Sequence, residues 1–293
     1  MMIRSLLLVI ATTVVASAED GSMMDEGIRL SYRLPSTSTL RYDAISDADQ
    51  VISVMDRTMV SKVRTDLDLI MKVRETVLQR STIDVSYERG SIRTRLESPD
   101  GFMAQDTTVD LFAIKDLRLT MTISPNGSVM GSSIEAAHQR SAETMSMLRS
   151  TRIFDRLLVP FPSSDVEPGD TWETDLVDTT LAPQGLGSVV TRGTLRMTFD
   201  GTMDTLGVRC WKISLLSTDL EQAGEFSNPS MMMKLGGTGT VRGTSYHDVT
   251  TGAVVVSSSV WDTKITMDIT GDQKFTVPVV SKLVLSLTQR RTP

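Results

Sequence analysis

Leu117-Arg118-Leu119-Thr120-Met121-Thr122-Ile123-Ser124-Pro125-Asn126-Gly127 decides the fold class. Apolar side chains at 117, 119, 121 and 123 alternate with polar ones at 118, 120 and 122. That period of two sets one face on a core and the other in water, which is a half-buried strand. Pro125-Asn126-Gly127 then ends it, because Asn-Gly favours positive φ and turns the chain into a hairpin.

The same pattern recurs on both sides. Leu67, Leu69, Met71 and Val73 alternate with Asp66, Asp68 and Lys72, and Ile83, Val85 and Tyr87 with Asp84 and Ser86. Later come Leu195, Met197 and Phe199, then Trp211, Ile213 and Leu215, then Val241 to His247. Asp248-Val249-Thr250-Thr251-Gly252 turns into Ala253 to Ile269, where Trp261, Thr263, Ile265, Met267 and Ile269 share a face. Leu283, Leu285 and Leu287 close the chain. Short turns between neighbouring strands imply an antiparallel sheet.

One stretch breaks the pattern. Ser132-Ser133-Ile134-Glu135 reads as a capping box, and Ile134, His138, Met145, Leu148 and Arg152 recur at helical spacing. The spacing predicts a central helix over 132–158, ending before Pro160. One helix covers so much sheet best if the sheet wraps around it. The expected fold is therefore mainly β (α+β): a strongly curved antiparallel sheet or half-barrel from two similar halves, with one central helix packed on it.

The chain starts with Arg4, an apolar run from Leu6 to Ala11, and Ala16-Ser17-Ala18. This matches a signal peptide over 1–18, too short in its apolar part for the roughly 20 residues of a membrane span. The expected order is then a flexible leader over 19–31, an N-terminal β half over 32–131, the helix, and a C-terminal β half over 159–293. The protein is expected to be exported, periplasmic or extracellular. Its single cysteine, Cys210, lies far from the cleavage site, so neither an internal disulfide nor the usual lipid anchor is expected.

The 293 residues carry a formal charge of −6 with little aromatic content and no basic stripe. Nucleic acid is not an expected partner. There are two histidines, His138 and His247. No G-x-S-x-G elbow, C-x-x-C pair or H-E-x-x-H helix is present, so no catalytic residue, metal or cofactor is expected. Asp66 and Asp68 share one strand face, either as a cation site or, more simply, as a solvated edge. Gly236-Gly237-Thr238-Gly239 lacks the lysine of a phosphate loop and, with Asn228-Pro229, reads as a loop.

The 18 methionines are more suggestive. Met231-Met232-Met233 beside the glycines, with Met145 and Leu148 on the helix, form a candidate apolar ligand cleft, since methionine adapts to varied apolar surfaces. The plainer alternative is that they fill core gaps.

Around Val166-x-x-Gly169-Asp170-x-Trp172, preceded by Pro160-Phe161-Pro162, the chain resembles a family of uncharacterised bacterial exported β-rich proteins. Its layout is similar to the half-barrels of periplasmic lipoprotein carriers. Gly169, Asp170 and Trp172 are expected to be a structural turn: permissive backbone, self-bonding carboxylate, packed indole. The resemblance carries no established activity; the expected function, from the candidate cleft and the lack of a catalytic motif, is a non-enzymatic binding protein with a lipid or other hydrophobic small molecule as partner. The alternative is a structural component of the envelope that docks a protein partner.

Overall fold

The computed structural model describes residues 27–54, 57–98, 104–110, 117–136, 158–181, 187–228, 231–271 and 274–290. The first half contributes β1 (Thr39–Val54), β2 (Arg57–Val77), β3 (Arg80–Glu97), β4 (Ala104–Asp110), β5 (Leu117–Ile123) and β6 (Val129–Ala136). The second contributes β7 (Thr171–Leu181), β8 (Gly187–Thr205), β9 (Val208–Asn228), β10 (Met231–Asp248), β11 (Val254–Thr270) and β12 (Lys274–Arg290).

All twelve lie in one antiparallel sheet, in the order β6-β5-β3-β2-β1-β12-β11-β10-β9-β8-β7, with β4 beside β3. The two halves are thus joined into a single sheet by the ladder between β1 and β12, which runs from Arg41↔Arg290 to Ile52↔Val279. The sheet is open: among the described residues no ladder joins β6 to β7.

No helix occurs among the described residues. The start of the expected central helix is strand instead, with Met121↔Ser132, Thr120↔Ser133 and Arg118↔Glu135 in register. The reason is local. Once Gly127 takes φ +83°, the chain runs back along β5, and ladder bonds satisfy the backbone that a cap worth about 1 kcal/mol would otherwise serve. Residues 137–157, with His138, Met145 and Leu148, lie outside the described residues, as do 1–26 with the expected signal peptide.

Alternation decides which face is inside. Leu67, Leu69, Met71 and Val73 of β2, Ile83 and Val85 of β3, and Leu285 and Leu287 of β12 are buried in one cluster. That cluster also takes in Phe199, Trp211, Val241 and Trp261 from the second half. Between them, the outward positions carry ion pairs: Arg64 with Asp66 at 3.0 Å, Arg89 with Asp68 at 2.8 Å, and Arg93 with Asp106 at 2.6 Å. The acidic pair Asp66/Asp68 is therefore engaged by arginines on the solvated face.

One end of the sheet is covered by two non-strand segments. Leu30, Tyr32 and Leu34 come from the N-terminal side, and Val159, Phe161 and Val166 from the chain before β7; all are buried in the main cluster. Ile28 and Val166 form a bridge, Tyr32 N–H donates to Pro125 O at 2.7 Å, and Arg33 N–H donates to Thr251 O at 2.8 Å. Leu30 and Ser31, at the end of the stretch expected to be a flexible leader, are thus core residues, because the hairpin ends leave apolar surface that they cover. Toward the other end lies a smaller cluster of Ile269, Val277 and Val279, packed by Ile52, Met233 and Phe275.

Candidate functional site

At the covered end the packing is aromatic. Tyr32 stacks on Phe161 with centroids 4.7 Å apart, and Phe161 meets both His247 and Trp211 edge-on. His247 Nδ1–H donates to Gly252 O at 3.0 Å. That fixes the tautomer and leaves Nε2 to accept from the Ser245 hydroxyl, also at 3.0 Å. A base beside a hydroxyl is the beginning of a nucleophilic pair. Here, however, His247 is fully buried and Ser245 nearly so. Burial also holds the imidazole down to about 4 from its usual 6.5, so it is neutral. The pair serves the core.

The turn before β7 is bonded as its residues suggest. Gly169 has φ +98° and its N–H donates to Phe199 O at 2.7 Å. The Asp170 carboxylate accepts from Glu167 N–H at 2.8 Å. The Trp172 indole donates to Pro160 O at 2.9 Å and packs against the main cluster.

The inner face opens into a cleft of about 460 Å³ between the two clusters. Its apolar wall is built by Ala48 (β1), Val63 (β2), Ile92 (β3), Val189 (β8), Leu235 (β10) and Leu283 (β12), with Trp261 and Ile265 from β11. Hydroxyls and amides interleave with them, among them Ser46, Gln50, Thr65, Thr191, Gln222 and Ser281. Among the described residues, no charged side chain lines this cleft. Gln222 Nε2 donates to Thr191 Oγ1 at 3.3 Å, while Gln222 Oε1 is buried and has no hydrogen-bond partner among the described residues.

A larger hollow of about 720 Å³ lies at the covered end, against Arg29, Arg33, Thr76, Gln79, Pro125 and Asn126. Leu30, Tyr32 and Leu34 reach it too, but their side chains are spent in the core. It therefore offers less apolar wall than the sheet cleft, which we take as the candidate site.

Of the expected cleft residues, Met231 and Met232 are exposed at the start of β10 and Met233 packs in the smaller cluster. None of the three lines the cleft. The expected loop around them is strand: Gly236, Gly237 and Gly239 pair with Thr266, Ile265 and Thr263 of β11. Glycine composition suggested a loop, but in the ladder these glycines allow close approach of backbone. A Cβ at Gly237 would stand 2.4 Å from Lys264 O. The residues that do line the cleft were visible in the sequence only as the weak, Ser- and Thr-rich continuation of each alternating strand.

No family model matches the chain, and no curated protein does either. Several solved structures show a weak likeness to this chain. A structure of lipid–protein interactions in lipovitellin has 8% identity and TM-score 0.48 over 88% of this chain, which spans only 25% of that one. An outer membrane channel from Pseudomonas putida F1 has 9% identity and TM-score 0.21, with 87% and 97% covered. OccK7 (OpdD) from Pseudomonas aeruginosa has 7% identity and TM-score 0.24, with 86% and 99% covered. Likenesses at this level assign no activity.

Proposed function

We propose that this chain is an exported, non-enzymatic binding protein that holds a hydrophobic, lipid-like ligand on the inner face of a curved sheet. The observation that carries the reading is that β3 and β8, seven strand steps apart, wall one cleft, uncharged among the described residues. On a flat sheet they would lie about 34 Å apart at the usual strand spacing.

The sequence supplies devices for such bending. β-bulges interrupt the ladders at Asp68/Leu69, Arg192/Arg196 and Gly239/Val241. Gly224 and Gly237 sit where a Cβ would meet the neighbouring strand's main chain within 3 Å. Bulges and glycines mark tight bends in sheets. The cleft's size lies within the roughly 300–1,000 Å³ of small-molecule sites. The ion-paired outer face keeps to water, so apolar binding belongs inside. Export rests on the pattern of residues 1–18, and the buried Cys210 offers no attachment point for a lipid anchor.

The test is titration of the purified protein with the neutral dye Nile red. Saturable uptake at one dye per chain is expected, weakened at least tenfold by Leu235→Asp with the fold retained by circular dichroism. No uptake, or uptake indifferent to Leu235→Asp, overturns the reading.

A second reading, a protein-docking component of the envelope, draws on the edge of β7, which no further strand pairs among the described residues and where Val177 is exposed. A pull-down from envelope extract that is abolished by Val177→Lys supports it; one that is unaffected removes it.

A further inference from the structure

We infer that the ligand's polar part is an uncharged hydroxyl- or ester-bearing group, as in a mono- or diacylglycerol, and that Gln222 is its recognition residue. The inference rests on the reading of the cleft as a lipid site and adds the ligand's headgroup chemistry.

Two observations carry it. The first is the cleft's electrostatics. Among the described residues, its walls contain hydroxyls and amides but no Arg, Lys, Asp or Glu. An ionised carboxylate or phosphate drawn into such a place would lose its hydration without gaining a partner charge, a cost of several kcal/mol. Free fatty acids and phospholipids are disfavoured on that ground. A wholly apolar ligand is disfavoured by the same walls, because it would cover the hydroxyls without bonding them. An ester or an alcohol meets both conditions.

The second observation is Gln222 itself. It stands on β9 opposite Thr191 of β8, and one end of its amide is bonded to the Thr191 hydroxyl. The other end is buried and unpaired among the described residues. Turning the amide over exchanges the two ends, because a threonine hydroxyl both donates and accepts. In either orientation one amide atom is left without a partner in a side chain that lines the cleft, and a small turn of that side chain would bring it to a ligand. With the oxygen free, it accepts from a glycerol hydroxyl. With the nitrogen free, it donates to an ester carbonyl. A monoacylglycerol satisfies either arrangement, whereas a carboxylate satisfies only the second and remains uncompensated in charge.

The deciding experiment is competition against bound Nile red by 1-monooleoylglycerol, oleate and hexadecane, in wild type and in Gln222→Leu. The expected result is that monooleoylglycerol displaces the dye at least tenfold more effectively than oleate at pH 8. Gln222→Leu should lower that advantage roughly five- to tenfold, the worth of one buried hydrogen bond, with each displacement read against the dye affinity measured for that variant. Equal displacement by oleate and monooleoylglycerol, or an advantage indifferent to Gln222→Leu, overturns the headgroup assignment while the lipid-site reading stands. Failure of wild type to bind Nile red removes both.

Discussion

The hydroxyl of Tyr32 bonds both backbone groups of Val159, 127 residues away. It donates to Val159 O at 3.1 Å and accepts from Val159 N–H at 2.8 Å. One side chain thereby does for a buried residue what a strand neighbour would otherwise do, and it pins the two covering segments together. Tyr32→Phe keeps the stacking on Phe161 but leaves a donor and an acceptor buried without partners. The expected loss is about 2–4 kcal/mol, at 1–3 kcal/mol per orphaned group, measured as a fall in the urea midpoint. An unchanged midpoint would show that Val159 finds other partners.

His247 makes stability depend on pH. Its folded pKa is depressed to about 4 by burial, whereas the unfolded chain titrates near 6.5. The unfolded state therefore takes up the proton first, and stability falls as pH drops from about 6.5 to 4. The loss is about 3 kcal/mol over that window. Urea melts at pH 7.5 and 4.5 should show a smaller difference in His247→Gln than in wild type, since carboxylate effects are common to both. Equal differences would sink the assignment.

Adjacent glycines of β10 should respond oppositely to the same change. A Cβ at Gly237 meets Lys264 O at 2.4 Å and Ile265 Cα at 2.8 Å, while a Cβ at Gly236 meets nothing within 4 Å. Gly237→Val forces backbone apart and is expected to cost at least about 2 kcal/mol. Gly236→Val should stay within about 0.5 kcal/mol of wild type. Thermal melts of the pair decide it, and similar midpoints would contradict the close approach.

The β2–β3 hairpin offers a gain. Leu78 has φ +48° and Gln79 φ +64°, a turn geometry that prefers Asn-Gly, and Leu78 is 91% exposed. Leu78→Asn removes a conformational penalty of roughly 1 kcal/mol without removing packing. A higher melting temperature with unchanged Nile red affinity is expected; a lower one would mean that Leu78 has a partner.

Strands with strong contrast between faces were legible directly. Leu67 to Val73, Leu119 to Ile123 and Leu283 to Leu287 all lie where their alternation puts them. β1 was not, because its inward side chains, Tyr42, Ala44, Ser46, Ala48 and Gln50, are mostly small or polar and give little period to read. The same weakness hid the cleft, whose walls come from those low-contrast stretches. The capping box at Ser132 misled because a local signal of about 1 kcal/mol yields to a full ladder. Methionine and glycine composition pointed to β10, but to its exposed start and not to Leu235, the residue of that strand that reaches the cleft.

The ladder between β1 and β12 has a consequence for how the molecule is made. The strands at the middle of the sheet are the first and last of the described strands, with Ile52 beside Val279. Neither half can gain its central neighbour until nearly the whole polypeptide has emerged. Pairing across so long a separation is slow, since loop closure comes before any reward. Each half can build its own local hairpins first, and the sheet becomes continuous only when β12 reaches β1.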